Sequence, residues 1–472
     1  MVQGINLDSR FVTPGDLYVA LPGTRTHGAR FGAQAVEAGA VAVLTDTAGA
    51  GMLTEVDVPV LTTDDPRAAM AKVAAVLFDR PTEKLDLFGV TGTNGKTTTV
   101  AILDAALQAA GRHSATIGTM GFTVDGRQLG GSRTTVTTPE SIDLQALFAV
   151  MQEAGAQDVA MEVSSHALAL HRVDEVRFEV AGFTNLGRDH LDFHHTMAEY
   201  AAAKARLFTP EFTRQAVITI DDDGGADMAH RARTAGLDVR TASLTDPGAD
   251  YRADARVLDD GRWQLRVHTP AGSHDCELAL PGRHNVANAL LAVAMLDLAG
   301  RDLEACLPGL ARVQVPGRMQ RVALTDPAPA VYVDFAHTPQ AVGATLDAFG
   351  ERSGRLITVL GCGGDRDREK REPMGRIAAE RSEIVVVTDD NPRSEPPESI
   401  RAQVLAGARQ GSARVLDGGD RAGAIREALR LAEPGDIVAV LGKGHEQGQD
   451  IKGEIVPFDD VTEVTTAWQE LG

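Results

Sequence analysis

Residues 89–99 read GVTGTNGKTTT. Glycines, one lysine and a run of threonines are the residue types that hold phosphate. Glycine lets the chain turn tightly so that backbone N–H groups converge on an anion at a helix N-terminus. The ammonium reaches the β- and γ-phosphates, and a hydroxyl ligates Mg²⁺. Gly92, Gly95, Lys96 and Thr97 are therefore the candidates for holding phosphate. The usual G-x-x-x-x-G-K-[ST] pattern asks for glycine at position 90, which is Val90 here, with Gly89 one place early. Two downstream strings carry groups of the right chemistry. MEVSSH, 161–166, puts Glu162 at the end of an apolar run, where a Mg²⁺-binding carboxylate belongs. TNLGRDHLDFHH, 184–195, offers His190 as a second ligand, with Asn185 and Asp189 to orient neighbours. Hard Mg²⁺ prefers oxygen to imidazole, so His190 is the weaker match on chemistry alone.

Three further strings form a second group. GCGGDRDREKREPMG, 361–375, puts Arg366 after three glycines; DDNPRSE, 389–395, stiffens a loop with Pro392 and projects Arg393; LGKGHEQG, 441–448, carries Lys443, His445 and Glu446. Each follows an apolar run, so all three belong at the C-terminal edge of one sheet, where they can line a pocket for a charged ligand.

The elements that must position these groups follow from the periodicity. Leu85–Val90 is a short apolar strand, and 97–110 has apolar residues at helical spacing, so the phosphate loop joins a strand to a helix. Runs at 158–163, 180–184 and 215–220 alternate with helical patterns, which is the signature of a mostly parallel sheet covered by helices. Residues 242–280 alternate polar and apolar and read as a small β-rich insertion. After a Pro-Gly pair at 316–317, a plausible hinge, runs at 330–334, 355–360, 384–388 and 437–441 repeat the strand–helix alternation. In the first 84 residues the one clear strand is 40–44, with Ala-rich helices on either side. A chain of 472 residues, at ~150 per domain, divides into about three units, taken as 1–84, 85–316 and 317–472.

Composition limits the partners. A formal net charge of −20 argues against a nucleic-acid surface or an anionic membrane, while leaving room for a local basic pocket. No apolar run approaches the ~18 residues that span a bilayer, and the first residues show no basic stretch followed by an apolar core. The three cysteines lie far apart and form no metal pair. A reduced, cytoplasmic setting is the expectation.

Taken in order, GTNGKTT, EVSSH, the DHLD run, GRHNVANAL (282–290), PGRMQ (316–320), DFAHTP (334–339), GCGGDRD, DNPR and GKGHE resemble the Mur ligases over nearly the whole chain. DSRFVTPGDLYVALPG, 8–23, is similar to that family's uridine-nucleotide segment. The resemblance implies an α/β fold of three domains: a UDP-sugar-binding domain, a central P-loop ATPase domain and a C-terminal Rossmann-like domain that binds an amino acid. It implies ATP and Mg²⁺ as cofactors, and peptidoglycan precursor synthesis as the setting. The substrates would be UDP-MurNAc-L-Ala-D-Glu and a diamino acid, joined by a monomer with no nucleic acid or membrane insertion.

Carried onto this chain, Lys96, Glu162, His190 and Lys204 resemble the catalytic set, with Thr97, Glu162, His190 and a carbamylated Lys204 around Mg²⁺. Gly92, Thr93, Asn94, Gly95, Lys96, Thr97 and Thr98 resemble the residues that hold the phosphates of ATP, and His284, Asn285, Asn288, Arg318 and Asp334 resemble further ATP contacts. Ser9, Thr137, Thr138, Ser164 and Arg172 resemble contacts to the nucleotide-sugar peptide. Arg366, Asp390, Asn391, Pro392, Arg393, Gly442 and Glu446 resemble the amino-acid site. On residue type alone, Lys204 in YAAAKARLF reads as a helix-surface lysine. Two departures stand out: Leu170 replaces a glutamine common in the family, and GTRTHGARF (23–31), with His27, matches the nucleotide loop only loosely. Arg393 favours meso-diaminopimelate, whose extra carboxylate suits a guanidinium fork. A ligase adding L-lysine or L-ornithine, a folylpolyglutamate- or cyanophycin-type ligase, and a non-catalytic ATP-binding regulator are the alternatives.

Overall fold

In a computed structural model that describes residues 2–23, 26–129, 137–258, 262–325, 327–350 and 352–471, the apolar runs pair into three successive sheets. The first is parallel, ordered β1 (Gly4–Asn6), β2 (Asp16–Ala20), β3 (Ala42–Thr45) and β4 (Val60–Thr62). Helix Pro66–Leu77 covers it, capped by Asp65, whose side chain accepts from Ala68 N, and started by Pro66, which needs no N–H partner there. Positions 24 and 25 of the 23–31 string lie outside the described residues. His27 caps the next turn through Ala29 N and meets Asp46 Oδ1 at 3.1 Å.

The second sheet has eleven strands. Its parallel middle comprises β5 (Asp86–Thr91), β6 (Ser114–Gly118), β9 (Asp158–Glu162), β10 (Phe178–Phe183), β11 (Thr213–Thr219) and β12 (Asp238–Ser243). The edges are β7 (Gly121–Val124) with β8 (Arg127–Gln128), and β13 (Tyr251–Val257), β14 (Trp263–Thr269) and β15 (Gly272–Leu278). The order is β15-β14-β13-β12-β11-β10-β5-β9-β6-β7-β8. The β-rich stretch expected at 242–280 is an antiparallel ribbon that continues the main sheet: β13 pairs in parallel with β12, and β14 and β15 follow it. Its apolar face, including Leu265, Val267 and Leu278, joins the core around helix Arg283–Leu298, which is why it does not stand alone. From β5 the chain moves to one side for β6 and β9, then to the other for β10 and β11. The C-terminal end of β5 is thus the point where the winding reverses and crevices open.

The third sheet is ordered β16 (Gln320–Val322), β17 (Ala330–Asp334), β21 (Ile437–Leu441), β18 (Leu356–Cys362), β19 (Ile384–Asp389) and β20 (Arg414–Gly419). All but β16 run parallel. A hairpin of β22 (Gly448–Ile451) and β23 (Glu454–Pro457) follows. Strands β18, β19 and β21 are apolar runs buried along most of their length, as parallel strands with both faces covered must be. Among the described residues no helix is long and apolar enough to cross a membrane.

Candidate active site

The loop after β5 leads straight into helix Lys96–Ala109, so the helix N-terminus opens at the reversal point. Gly92 (φ 146°) and Gly95 (φ 91°) both have positive φ. A Cβ at Gly92 would stand 1.8 Å from Thr184 Oγ1, and one at Gly95 2.3 Å from Asn288 Oδ1, so neither position accepts a side chain. Asn94 N donates to Asn185 Oδ1 (3.0 Å) and Asn185 Nδ2 to Asn94 O (3.0 Å); Asn185 holds the loop as expected. Lys96 curls back, its Nζ donating to Gly92 O (3.0 Å) and Thr93 O (2.9 Å). Desolvation lowers its pKa against the pull of Glu162 and Asp189.

Glu162 is buried at the end of β9. It accepts from Thr97 Oγ1 (3.0 Å), Thr119 N (2.7 Å) and Thr119 Oγ1 (3.2 Å). Arg318, which follows the Pro-Gly pair, donates to Thr97 Oγ1 at 3.2 Å while its guanidinium lies 4.3 Å from the Phe335 ring centre. A hydroxyl and a carboxylate in hydrogen-bond contact at a helix N-terminus form a hard-oxygen donor pair. That pair fits a Mg²⁺ ion, which takes most of its other ligands from water and phosphate. Among the described residues no group of three or more His, Cys, Asp or Glu could hold a metal unaided. His190 adopts φ +56° and packs edge-on against His166, ring centres 4.8 Å apart.

Lys204 corrects the reading drawn from residue type alone. It is 1% exposed, because helix Met197–Ala205 turns Tyr200, Ala201 and Lys204 inward together. Nζ donates to Gly92 O at 2.7 Å and lies 4.4 Å from the Tyr200 ring centre. Burial, reinforced by Lys96, holds its pKa well below the ordinary lysine value.

The remaining ATP-type candidates surround the same loop. Asn285 Nδ2 donates to Pro281 O (2.7 Å) and its Oδ1 accepts from Asn288 Nδ2 (3.1 Å), which sets Asn288 against Gly95. His284 is half-buried, with its Nδ1 buried and unpartnered, and desolvation lowers its pKa. Asp334 Oδ2 accepts from Met319 N (2.7 Å), and Oδ1 accepts from Ala336 N (2.9 Å) and Thr345 Oγ1 (3.1 Å). Its role in this structure is to tie the 316–320 turn to β17.

Of the nucleotide-sugar candidates, Thr138, Ser164 and Arg172 come together. Ser164 N donates to Thr138 Oγ1 (3.1 Å), and Arg172 Nη1 donates to Thr138 O (3.1 Å). Arg172 also pairs with Glu140 at 2.8 Å, leaving Nε buried without a partner. Thr137 touches Thr119 Oγ1 at 3.4 Å, which links this group to Glu162. Ser9 lies in the first unit, and its hydroxyl donates to Gln34 Oε1. Leu170 ends helix Ser165–Ala169 and caps it through its backbone N–H alone.

The second and third units meet over a cavity of about 200 Å³. Asp189, His190 and Asp192 line one side; Arg366, Lys370, Asp390, Asn391, Arg393, Gly442 and Glu446 line the other. Asn391 Nδ2 donates to Glu446 Oε2 (2.8 Å), and Gly442 N to Asp334 O (3.0 Å). Pro392 O accepts from Glu395 N, closing the DNPR turn. Two charged strips face each other across this boundary. Arg188 pairs with Asp367 (3.2 Å) and Glu369, Asp189 with Lys370 (3.6 Å) and His337 (3.6 Å), and Asp192 with Arg366 (3.9 Å). Lys370 escaped the sequence reading; its only signal was its place in the charge run after GCGG, where solvated and buried charges look alike.

Comparison with known proteins matches this architecture throughout. Family models described as the Mur ligase family catalytic domain, the Mur ligase middle domain and the Mur ligase glutamate ligase domain match residues 1–77, 90–296 and 317–444. A UDP-N-acetylmuramoyl-L-alanyl-D-glutamate–2,6-diaminopimelate ligase of Corynebacterium glutamicum is 46% identical, over 99% of this chain and 92% of its own length. A protein of the same name from Streptomyces coelicolor is 47% identical over 97% and 91%. A solved structure of that name superposes with TM-score 0.68 at 34% identity, covering 100% of this chain and 95% of the other. A Mycobacterium tuberculosis folylpolyglutamate synthase, at 21% identity and TM-score 0.64, shares the fold over 79% of the chain. With three consecutive domain models, relatives near half identity over the full length and a matching three-sheet architecture, the chain belongs to the Mur ligase family.

Proposed function

We propose that this chain is an ATP-dependent ligase that adds meso-diaminopimelate to the D-glutamate side-chain carboxyl of UDP-MurNAc-L-Ala-D-Glu. The observation that carries the reading is the shared cavity: the segment beside the phosphate loop and the DNPR and GKGHE loops open onto one space. The names of the relatives point the same way. In the reaction, a carboxylate oxygen of D-glutamate attacks the γ-phosphorus of ATP and ADP leaves. The amine of the diamino acid then attacks the acyl carbon, and the adduct expels phosphate with loss of a proton from nitrogen. Without that activation the carboxylate has no leaving group.

Lys96 swings from its two carbonyl partners to the transferring phosphoryl group, and the N-terminus of helix Lys96–Ala109 supplies N–H donors. Thr97 and Glu162 would hold Mg²⁺, which would supply charge neutralisation during transfer; His190 and a carbamate on Lys204 would complete its donor set. Burial favours the uncharged form of Lys204, and the uncharged amine is the form that combines with CO₂. Asn285, Asn288, His284 and Arg318 bind the nucleotide. Thr137, Thr138, Ser164 and Arg172 bind the peptide arm, and Ser9 the uridine side. Residues 1–84, 85–316 and 317–472 divide these tasks, and the enzyme works as a cytoplasmic monomer on soluble substrates. Arg393 and Arg366 receive the diamino acid's carboxylates, beside Asp390, Asn391 and Glu446. The test is phosphate release that depends on UDP-MurNAc-L-Ala-D-Glu and an amino acid. Diaminopimelate is expected to give the highest kcat/KM; a preference for lysine or ornithine overturns the substrate, and release without any amino acid overturns the ligase.

A further inference from the structure

Arg393 carries φ +50°, in the left-handed region that costs a non-glycine residue energy, so something outside the DNPR turn must hold it there. The hairpin β22–β23 does. Arg393 N donates to Asp450 O (2.9 Å) and Lys452 N to Arg393 O (2.8 Å), so Arg393 is bridged to Ile451 as a one-residue addition to the ladder. Gln449 Nε2 donates to Asp390 O (2.7 Å), and Asp450 N to Asn391 Oδ1 (2.9 Å). Lys443, fully buried, secures the base of the hairpin: its Nζ reaches Asn391 Oδ1 (3.2 Å), Glu446 Oε2 (2.9 Å) and Gly448 O (2.6 Å).

The guanidinium is aimed from two sides. Nη1 donates to Gly364 O at 2.7 Å, and Gly363 leaves the space where a Cβ would stand 2.9 Å from Nη1. On the other side Asp450 Oδ2 lies 3.9 Å from Nε. At that distance the carboxylate orients the fork without consuming it, whereas a close two-pronged pair would leave no edge for a ligand. Asp450 Oδ1 also accepts from Gly453 N (3.0 Å), so the same side chain shapes the hairpin turn.

We propose that the hairpin Gly448–Pro457 is a specificity element of the amino-acid pocket, and that Asp450 is the positioning residue that aims Arg393 at the distal carboxylate of the diamino acid. This rests on the reading of Arg393 given above. The test measures KM and kcat for diaminopimelate and for lysine, and KM for the nucleotide substrate, in wild type, Arg393→Ala, Asp450→Asn and Asp450→Glu. Asp450→Asn keeps an oxygen for Gly453 N but removes the charge. It is expected to raise the diaminopimelate KM about five- to tenfold, as a partly buried charge partner warrants, with kcat changed less than twofold and the lysine and nucleotide KM unmoved. Asp450→Glu recovers part of the loss. If Asp450→Asn leaves the diaminopimelate KM unchanged, or raises the KM of both amino acids alike, the hairpin proposal falls while an effect of Arg393→Ala keeps the reading of Arg393 intact. If Arg393→Ala does not move the preference between the two amino acids, that reading fails and the proposal falls with it.

Discussion

The second and third units both bury cations, and they settle them differently. Around the phosphate loop, Lys96 and Lys204 converge on Gly92 O, and among the described residues neither is in an ion pair. In the third unit three fully buried cations, Arg371, Arg421 and Lys443, each have a carboxylate within the unit. Arg371 pairs with Glu395 at 2.8 Å, Arg421 meets both oxygens of Asp460 at 2.7 Å, and Lys443 pairs with Glu446 at 2.9 Å. Burial works against the charge of Arg421, but Asp460 more than offsets it and its pKa rises; burial pushes Lys204 down with nothing comparable in return. Desolvating a charge is costly wherever it happens. A cation with a resident partner is architecture. A cation held only by neutral carbonyls is waiting for an anion from outside, or for conversion into one.

The sharpest way to break this contrast is to remove Lys96. Lys96→Ala is expected to lower turnover by about a thousandfold or more, the scale of losing a charge that stabilises the transferring phosphoryl group, while the thermal midpoint stays near wild type. A phosphate-release assay with a melting curve checks both; near-normal turnover would place Lys96 with the architectural cations. Lys204→Ala should also be inactive, by roughly a hundredfold or more if a metal-side anion is lost. Unlike Lys96→Ala, it should recover in part when a short carboxylic acid fills the cavity. Recovery in neither variant would return Lys204 to a packing role.

The third unit should respond in stability instead. Asp460→Ala strands a fully buried guanidinium and is expected to cost about 3–5 kcal/mol in urea unfolding, whereas Arg421→Met with Asp460→Leu should cost much less. A double variant as unstable as the single one would mean that the pair itself supplies the stability. The smallest effect is in pH. Arg371, with Arg368, holds Glu395 down at about 2 from the ordinary 4.5. A depressed carboxylate contributes stability above its unfolded pKa, and the contribution is lost as pH falls through the folded value. Wild type should therefore lose stability between pH ~4.5 and ~2 more steeply than Glu395→Gln, measured by thermal midpoint across that range.

What the sequence made legible was local. Strand, glycine turn, Lys96-Thr97 and helix follow one another within a dozen residues, so the phosphate loop could be read without tertiary information. Glu162 and the three loops after β18, β19 and β21 were legible for the same reason: the end of a buried strand announces itself by a change of residue type. Lys204 was not. Which side of a short Ala-rich helix faces inward depends on what packs against it, and Ala on all sides leaves the period ambiguous. The hairpin β22–β23 was missed because its strands are short and largely exposed, with Ile455 at 65%. The pairing of Arg188 with Asp367 spans 179 positions, and no local pattern records it.

Those facing strips, 188–192 and 366–370, bear on how faithfully ATP is spent. A cavity of about 200 Å³ is below the usual size of a ligand site, so admitting substrates is expected to require the strips to part. Strips that then close would wall the acyl phosphate off from water until the amine reaches it. Several of these charges are solvent-exposed, so their attraction weakens as salt rises. Added salt should then speed product escape and, at the same time, let water compete with the amine. The number of amide bonds made per ATP hydrolysed is in this sense an electrostatic property of two short loops, adjustable by charge without touching any residue that contacts the phosphate.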